Sequence, residues 1–96
     1  MKRHEYLLSV TSAASRDVVS IHGDRAGLTV LRDRINHLLA TLEQGECDHD
    51  HLRSPDWAGF DLTTTMLATE RASGNGTVHH LEIFAWMPEW RARHDL

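Results

Sequence analysis

The chain has 96 residues, of which 41% are hydrophobic and 25% are charged, and its formal net charge is −4. This length suffices for one hydrophobic core but not for two, and the composition excludes an intrinsically disordered chain. We therefore expect a single domain over residues 1–96. The small acidic excess leaves no broad basic surface, which argues against nucleic-acid binding.

The cysteine content and the first residues indicate the compartment. Cys47 is the only cysteine, so no disulfide forms within the chain. The apolar run near the start is short and is interrupted by Ser9, unlike a secretory signal or a membrane span. We therefore expect a cytoplasmic protein that has no membrane partner.

Two strands are predicted at the start of the chain. Residues 4–11 alternate so that Tyr6, Leu8 and Val10 share one side of a strand. Residues 17–22 are rich in β-branched side chains, which favours a second strand. Because few residues separate the two, they are expected to form an antiparallel hairpin.

A long amphipathic helix is predicted over residues 25–44. Its apolar residues recur at steps of three and four. Asp24 is a good N-cap, and Gly45 stands where a left-handed C-terminal cap belongs. The residues predicted to form the helix side of the core are Leu31, Ile35 and Leu38.

Residues 46–59 show no periodicity and carry a dense polar run, which predicts a long loop. Within it, the sequence Ser54-Pro55 is typical of the start of a helical turn. Residues 60–68 predict a third strand, because Phe60, Leu62, Thr64 and Met66 alternate with Asp61, Thr63 and Thr65.

The last predicted element is a strand over residues 77–87, preceded by the hairpin-turn signal Gly74-Asn75-Gly76 and terminated by Pro88. Its alternation directs Leu81 and Ile83 toward the helix, and Phe84 and Trp86 away from it.

These elements predict an α+β fold, in the order strand, strand, helix, strand, strand. The simplest architecture is a largely antiparallel four-stranded sheet with one amphipathic helix packed on one face. Since one helix covers only one face, we expect Phe84 and Trp86 to be covered by the C-terminal tail, by a second copy or by a partner.

One alternative is a zinc-type metal-binding domain centred on the run Asp48-His49-Asp50-His51. His49 and His51 share a side in an extended chain, and His79 and His80 offer a second imidazole pair. No spacing here matches an established ligand framework. We therefore expect no metal and no cofactor, and keep this set as the alternative.

Nothing in the sequence marks an enzyme. It has no glycine-rich phosphate loop, no nucleophile elbow and no zinc-protease helix. Cys47 lies near histidines, but a free cysteine is more often a packing residue than a nucleophile. We predict no catalytic residues.

Four segments, residues 19–28, 48–52, 62–67 and 78–81, together resemble immunity protein family 32, a family of small bacterial proteins from polymorphic toxin systems. The resemblance implies an antitoxin-like cytoplasmic protein that binds and neutralises a partner toxin without catalysis. A homodimer joined through its open sheet faces remains a further alternative.

The predicted partner surface combines acidic loop residues with the aromatic sheet face. Charges at the rim of an interface mainly speed association, whereas aromatic anchors contribute most of the binding energy. The predicted contact residues are Asp48, His49, Asp50, His51, Asp56, Trp57, His80, Glu82, Phe84 and Trp86.

Overall fold

The computed structural model describes residues 6–96, and the fold is α+β as predicted. Residues 4 and 5 of the predicted first strand lie outside this range. In chain order the elements are β1 (Leu8–Ser12), β2 (Val19–Gly23), α1 (Arg25–Glu43), β3 (Asp48–Arg53), a 3-10 turn (Pro55–Trp57), α2 (Ala68–Ala72), β4 (Gly76–Val78), β5 (His80–Ala85) and α3 (Pro88–Arg93).

The strands form two antiparallel sheets, in the orders β2-β1-β4 and β3-β5, so the prediction of one four-stranded sheet was wrong. The predicted last strand is interrupted at His79 and passes from one sheet to the other. Strand β4 pairs with β1 only from Val10 to Ser12. Thr63 occupies the edge of β1 before Val10, where its N–H donates to the Leu8 carbonyl over 2.8 Å. The chain after His79 therefore pairs with β3.

The predicted loop over residues 46–59 was wrong in its first half, where β3 pairs with β5 along its whole length. The inward positions of this strand include Asp48 and Asp50, so the sequence lacks the usual apolar alternation. The predicted single turn at Pro55 was confirmed as the 3-10 turn Pro55–Trp57.

The predicted strand over residues 60–68 was also wrong. Its only strand-like contact among the described residues is an isolated bridge between Thr63 and Ser9. The sequence alternates here, but burial does not, because the adjacent residues Leu62 and Thr63 are both buried, one in the core and the other against β1, while Phe60 is exposed. Helix α2 begins where the strand was expected to end.

Helix α1 begins and ends as its sequence predicts. The Gly27 N–H donates to the Asp24 carboxylate over 2.8 Å, and this hydrogen bond lowers the pKa of Asp24. Gly45 follows the helix with a φ of 83°, in the left-handed region.

The core lies between α1 and both sheets. Its fully buried residues are Leu8 and Val10 of β1, Leu52 of β3 and Leu62. Val30 and Leu31 of the helix pack against them, as do the strand residues Val78, Leu81 and Ile83. Leu38 is buried as predicted, but Ile35 is 40% exposed, so its assignment to the core was wrong.

We expect the substitutions Ile35→Ala and Leu38→Ala to differ in stability. Leu38→Ala removes a side chain that is 3% exposed, and should lower the free energy of unfolding by about 2 kcal/mol. Ile35→Ala should cost less than about 1 kcal/mol, because much of its surface is already in water. Urea unfolding of both variants measures the difference, and equal losses would contradict the placement of Ile35.

The outer face of the three-stranded sheet is covered by polar contacts. Ser9 and Thr11 of β1 are both buried there. The Ser9 hydroxyl lies 2.6 Å from the Thr63 hydroxyl, and Thr11 donates to the Glu70 carboxylate over 2.6 Å. The bonds from Thr11 and His22 lower the pKa of Glu70. Helix α2 therefore closes this face, and the outer face of β3 and β5 stays open.

Candidate functional site

Strands β3 and β5 present a shared outer face of histidine and aromatic side chains. His49 lies opposite Phe84 in the ladder, and His51 lies opposite Glu82. His80 is two residues before Glu82 and so shares its side of the strand. We call this surface the ring face, formed by His49, His51, Trp57, His80, Glu82, Phe84 and Trp86.

The rings form a continuous row. The ring centroids of His49 and Phe84 are 5.6 Å apart in a stacked pair, and those of His49 and His51 are 4.9 Å apart, edge to face. His80 continues the row at 4.8 Å from His51, and Trp57 lies 6.1 Å from His80. The sequence predicted these members, and the register of β3 with β5 brings them together.

Two large rings of this row remain open to solvent. Trp57 is 55% exposed and Phe84 is 51% exposed. Trp86 is half-buried, because it packs on Phe84 and on His94, which follows α3. The tail therefore covers Trp86, one of the outcomes expected from the sequence, but it leaves much of Phe84 uncovered.

The centre of the ring face is a compact polar group. His51 Nδ1 lies 2.7 Å from His80 Nε2. Glu82 Oε1 lies 3.7 Å from each of these two nitrogens. Two imidazoles and one carboxylate thus converge on a small volume.

Asp48 and Asp50 lie on the opposite side of β3 from the ring face, toward α1. The Arg34 guanidinium donates to both Asp50 oxygens, over 2.6 and 2.9 Å, and to Asp61 over 2.8 Å. This guanidinium lowers the pKa of Asp50, and the two carboxylates raise that of Arg34. Arg34 was not among the residues predicted from the sequence, because a polar residue on an amphipathic helix ordinarily faces solvent.

The four histidines considered as an alternative metal set do not all converge. The potential ligand group within residues 6–96 consists of His51, His80 and Glu82. His79 stands apart, because its Nδ1 lies 2.7 Å from the Ser54 hydroxyl. Asp56 is exposed, and its carboxylate is 3.9 Å from His79.

An open depression lies beside the ring face. It is lined by Cys47, Asp48, His49, Phe84, Ala85 and Trp86. Cys47 is exposed, and its sulfur accepts a hydrogen bond from the Met87 N–H over 3.3 Å. No base lies within hydrogen-bond distance of that sulfur among the contacts that the structure describes.

Comparison with known proteins gives a family. Residues 18–81 match the family Immunity protein 32, which confirms the resemblance seen in the sequence. Searches of curated proteins and of solved structures found no match. In the described part of the chain, no helix has the length and apolar character needed to cross a membrane. The match extends from β2 into β5 and includes well over half of the chain, which therefore belongs to the Immunity protein 32 family.

Proposed function

We propose that this chain is a cytoplasmic bacterial immunity protein that binds and neutralises a partner toxin, and that the ring face is its binding surface. It acts by occupying a surface of the toxin and performs no catalysis. Membership of the Immunity protein 32 family supports the role. The observation that carries the choice of surface is the exposure of Phe84 and Trp57 on one sheet face.

Several properties of the ring face suit a protein interface. Exposed aromatic rings bury a large area at small entropic cost and are enriched among residues that dominate binding energy. Phe84 is held in place by stacking on His49 and Trp86, so its side chain loses little conformational freedom when a partner covers it. The net charge of −4 favours approach to a basic toxin surface.

The acidic residues of the predicted surface contribute unequally to this proposal. Asp56 and Glu82 are exposed and flank the rings, where they favour association. Asp50 is engaged by Arg34 on the other side of the strand. Asp50 therefore supports binding by holding β3 in place. Asp48 lies on the same side of the strand as Asp50.

The test uses the toxin encoded beside the gene for this chain. We expect Phe84→Ala to raise the Kd by roughly 30-fold, which corresponds to about 2 kcal/mol, mainly through faster dissociation. Surface plasmon resonance with the purified toxin measures both rates. Co-expression with the toxin in cells shows whether protection is lost in parallel.

Phe60 supplies a matched control, because it is 80% exposed and lies outside the ring face. Phe60→Ala should change the Kd by less than about twofold. If Phe60→Ala weakens binding and Phe84→Ala does not, the toxin binds elsewhere. Sedimentation of both variants separates a toxin interface from the homodimer alternative, in which Phe84→Ala would shift the chain from dimer to monomer.

A further inference from the structure

The polar centre of the ring face has the geometry of a metal site. We propose that His51, His80 and Glu82 bind a divalent late first-row transition metal ion, for which Zn²⁺ is the probe. This site differs from the four-histidine set considered from the sequence, because it includes a carboxylate and excludes His79. It does not depend on the toxin-binding role.

The three candidate ligand atoms lie within a few ångströms of one another. His51 Nδ1, His80 Nε2 and Glu82 Oε1 form a triangle with sides of 2.7, 3.7 and 3.7 Å. The point equidistant from the corners of that triangle lies about 2.0 Å from each corner, and zinc binds imidazole nitrogen and carboxylate oxygen at about 2.0 to 2.2 Å. The two facing nitrogens point toward each other in the free protein, so both rings must turn to direct their lone pairs at an ion near this point.

The backbone holds the three ligands in this arrangement. His51 and Glu82 are direct partners in the β3–β5 ladder, and His80 is two residues before Glu82 on the same strand. Three side chains on one face of two paired strands are already close before any ion arrives. Binding therefore requires little ordering of the chain.

The donor set defines the class of ion. Imidazole suits zinc, copper and nickel, and two histidines with one carboxylate leave coordination positions open on the solvent side. In the free protein the two imidazoles share one hydrogen bond, so one of the facing nitrogens carries a proton. On binding, that proton moves to the other nitrogen of the same neutral ring or to solvent, and both facing nitrogens present lone pairs.

We expect the bound ion to exchange with solvent and not to be required for folding. The core residues Leu52, Leu81 and Ile83 lie on the other side of the two strands. Glu82 is 44% exposed, which gives an ion direct access from solvent. An exposed site of this kind should lose its ion during purification, so chelation of the purified protein should leave its Tm unchanged, whereas added zinc should raise it.

The experiment is a zinc titration of chelator-treated, full-length protein without toxin, followed by isothermal calorimetry and by the histidine signals in NMR spectra. We expect one zinc ion per chain with a micromolar Kd, and shifts of the His51 and His80 ring signals. His80→Gln and Glu82→Gln should each raise the Kd by roughly tenfold or more. Thermal melts without zinc show that these variants remain folded.

His79→Gln is the matched control, because it removes the neighbouring imidazole and leaves the three ligands intact. Its Kd should stay within about twofold of the wild type. Zinc affinity that is unchanged in His80→Gln, or reduced equally in His79→Gln, would overturn the site. Because the titration contains no toxin, its failure leaves the toxin-binding proposal standing, and the reverse also holds.

Discussion

Replacing Gly27 with alanine is expected to destabilise the protein severely, by roughly 3 kcal/mol or more. Gly27 lies in the first turn of α1 and is buried. An added Cβ would overlap the Leu7 carbonyl oxygen and lie 2.6 Å from its carbonyl carbon. Because that obstacle is backbone, the helix must move away from β1.

The movement would also break the start of the helix. The Gly27 N–H donates to Asp24, and the Asp24 N–H donates to the Leu7 carbonyl over 3.2 Å. Displacing α1 therefore loses the N-cap together with contacts between Leu31 and the core.

Gly76 in β4 provides the control. Nothing lies within 4 Å of the position that its Cβ would take, and its φ is not in the left-handed region. Gly76→Ala should change the free energy of unfolding by less than about 0.5 kcal/mol. Urea denaturation followed by circular dichroism measures both variants, and a mild effect of Gly27→Ala would show that α1 can move at little cost.

The second large effect is expected from Arg34→Met, which should lower the free energy of unfolding by roughly 2 to 3 kcal/mol. This side chain donates four hydrogen bonds, to Asp50, to Asp61 and to the His51 carbonyl. Hydrogen bonds to charged groups are worth about 1.5 to 3 kcal/mol each, but Arg34 is 31% exposed and solvent screens part of this. Methionine keeps much of the side-chain volume, so the loss reports on the charge.

The loss of stability caused by Arg34→Met depends on pH, and its direction follows from the pKa of Asp50. Arg34 holds the pKa of Asp50 below its ordinary value, so the ionised carboxylate is favoured by folding. The stability from this pair is present in full above the unfolded pKa, about 3.9, and is lost as the pH falls through the lower folded pKa. The stability gap between wild type and Arg34→Met should therefore be constant near neutrality and narrow below about pH 4.

Arg32 is the matched control, because it pairs with Asp33 on the exposed side of the same helix. Arg32→Met should change stability by less than about 0.5 kcal/mol at any of these pH values. If Arg34→Met loses no more stability than Arg32→Met, or if its loss does not become smaller in acid, the contacts of Arg34 with Asp50 and Asp61 contribute little to stability.

The sequence analysis succeeded where one physical signal was dominant. The leucine spacing of α1, its Asp24 cap and Gly45 each predict a helix with the observed limits. The alternation of β5 directs Leu81 and Ile83 inward, as the structure confirms. The same period of two places His80, Glu82 and Phe84 together on the outer side of β5.

The structure could not be predicted from the sequence where polar residues take the inward positions of a strand. Asp48 and Asp50 face α1 because Arg34 on the helix neutralises Asp50, and this pairing is not visible in local sequence. A strand with aspartates on its inner side therefore resembles a loop. The break at His79 likewise depends on a distant residue, Thr63, which occupies the edge of β1.

The ion pair between Arg34 and Asp50 also helps to fix which side of β3 faces outward. In β3, aspartates and histidines alternate, so a slip of one residue against β5 would turn the histidines toward the helix and the aspartates outward. The same slip would turn Leu52 outward, and Leu52 is fully buried in the observed register, so the core already disfavours the slip. Arg34 adds a second constraint, because its ion pair forms only when Asp50 points inward, and this helix residue therefore helps to hold the histidines of the ring face toward solvent.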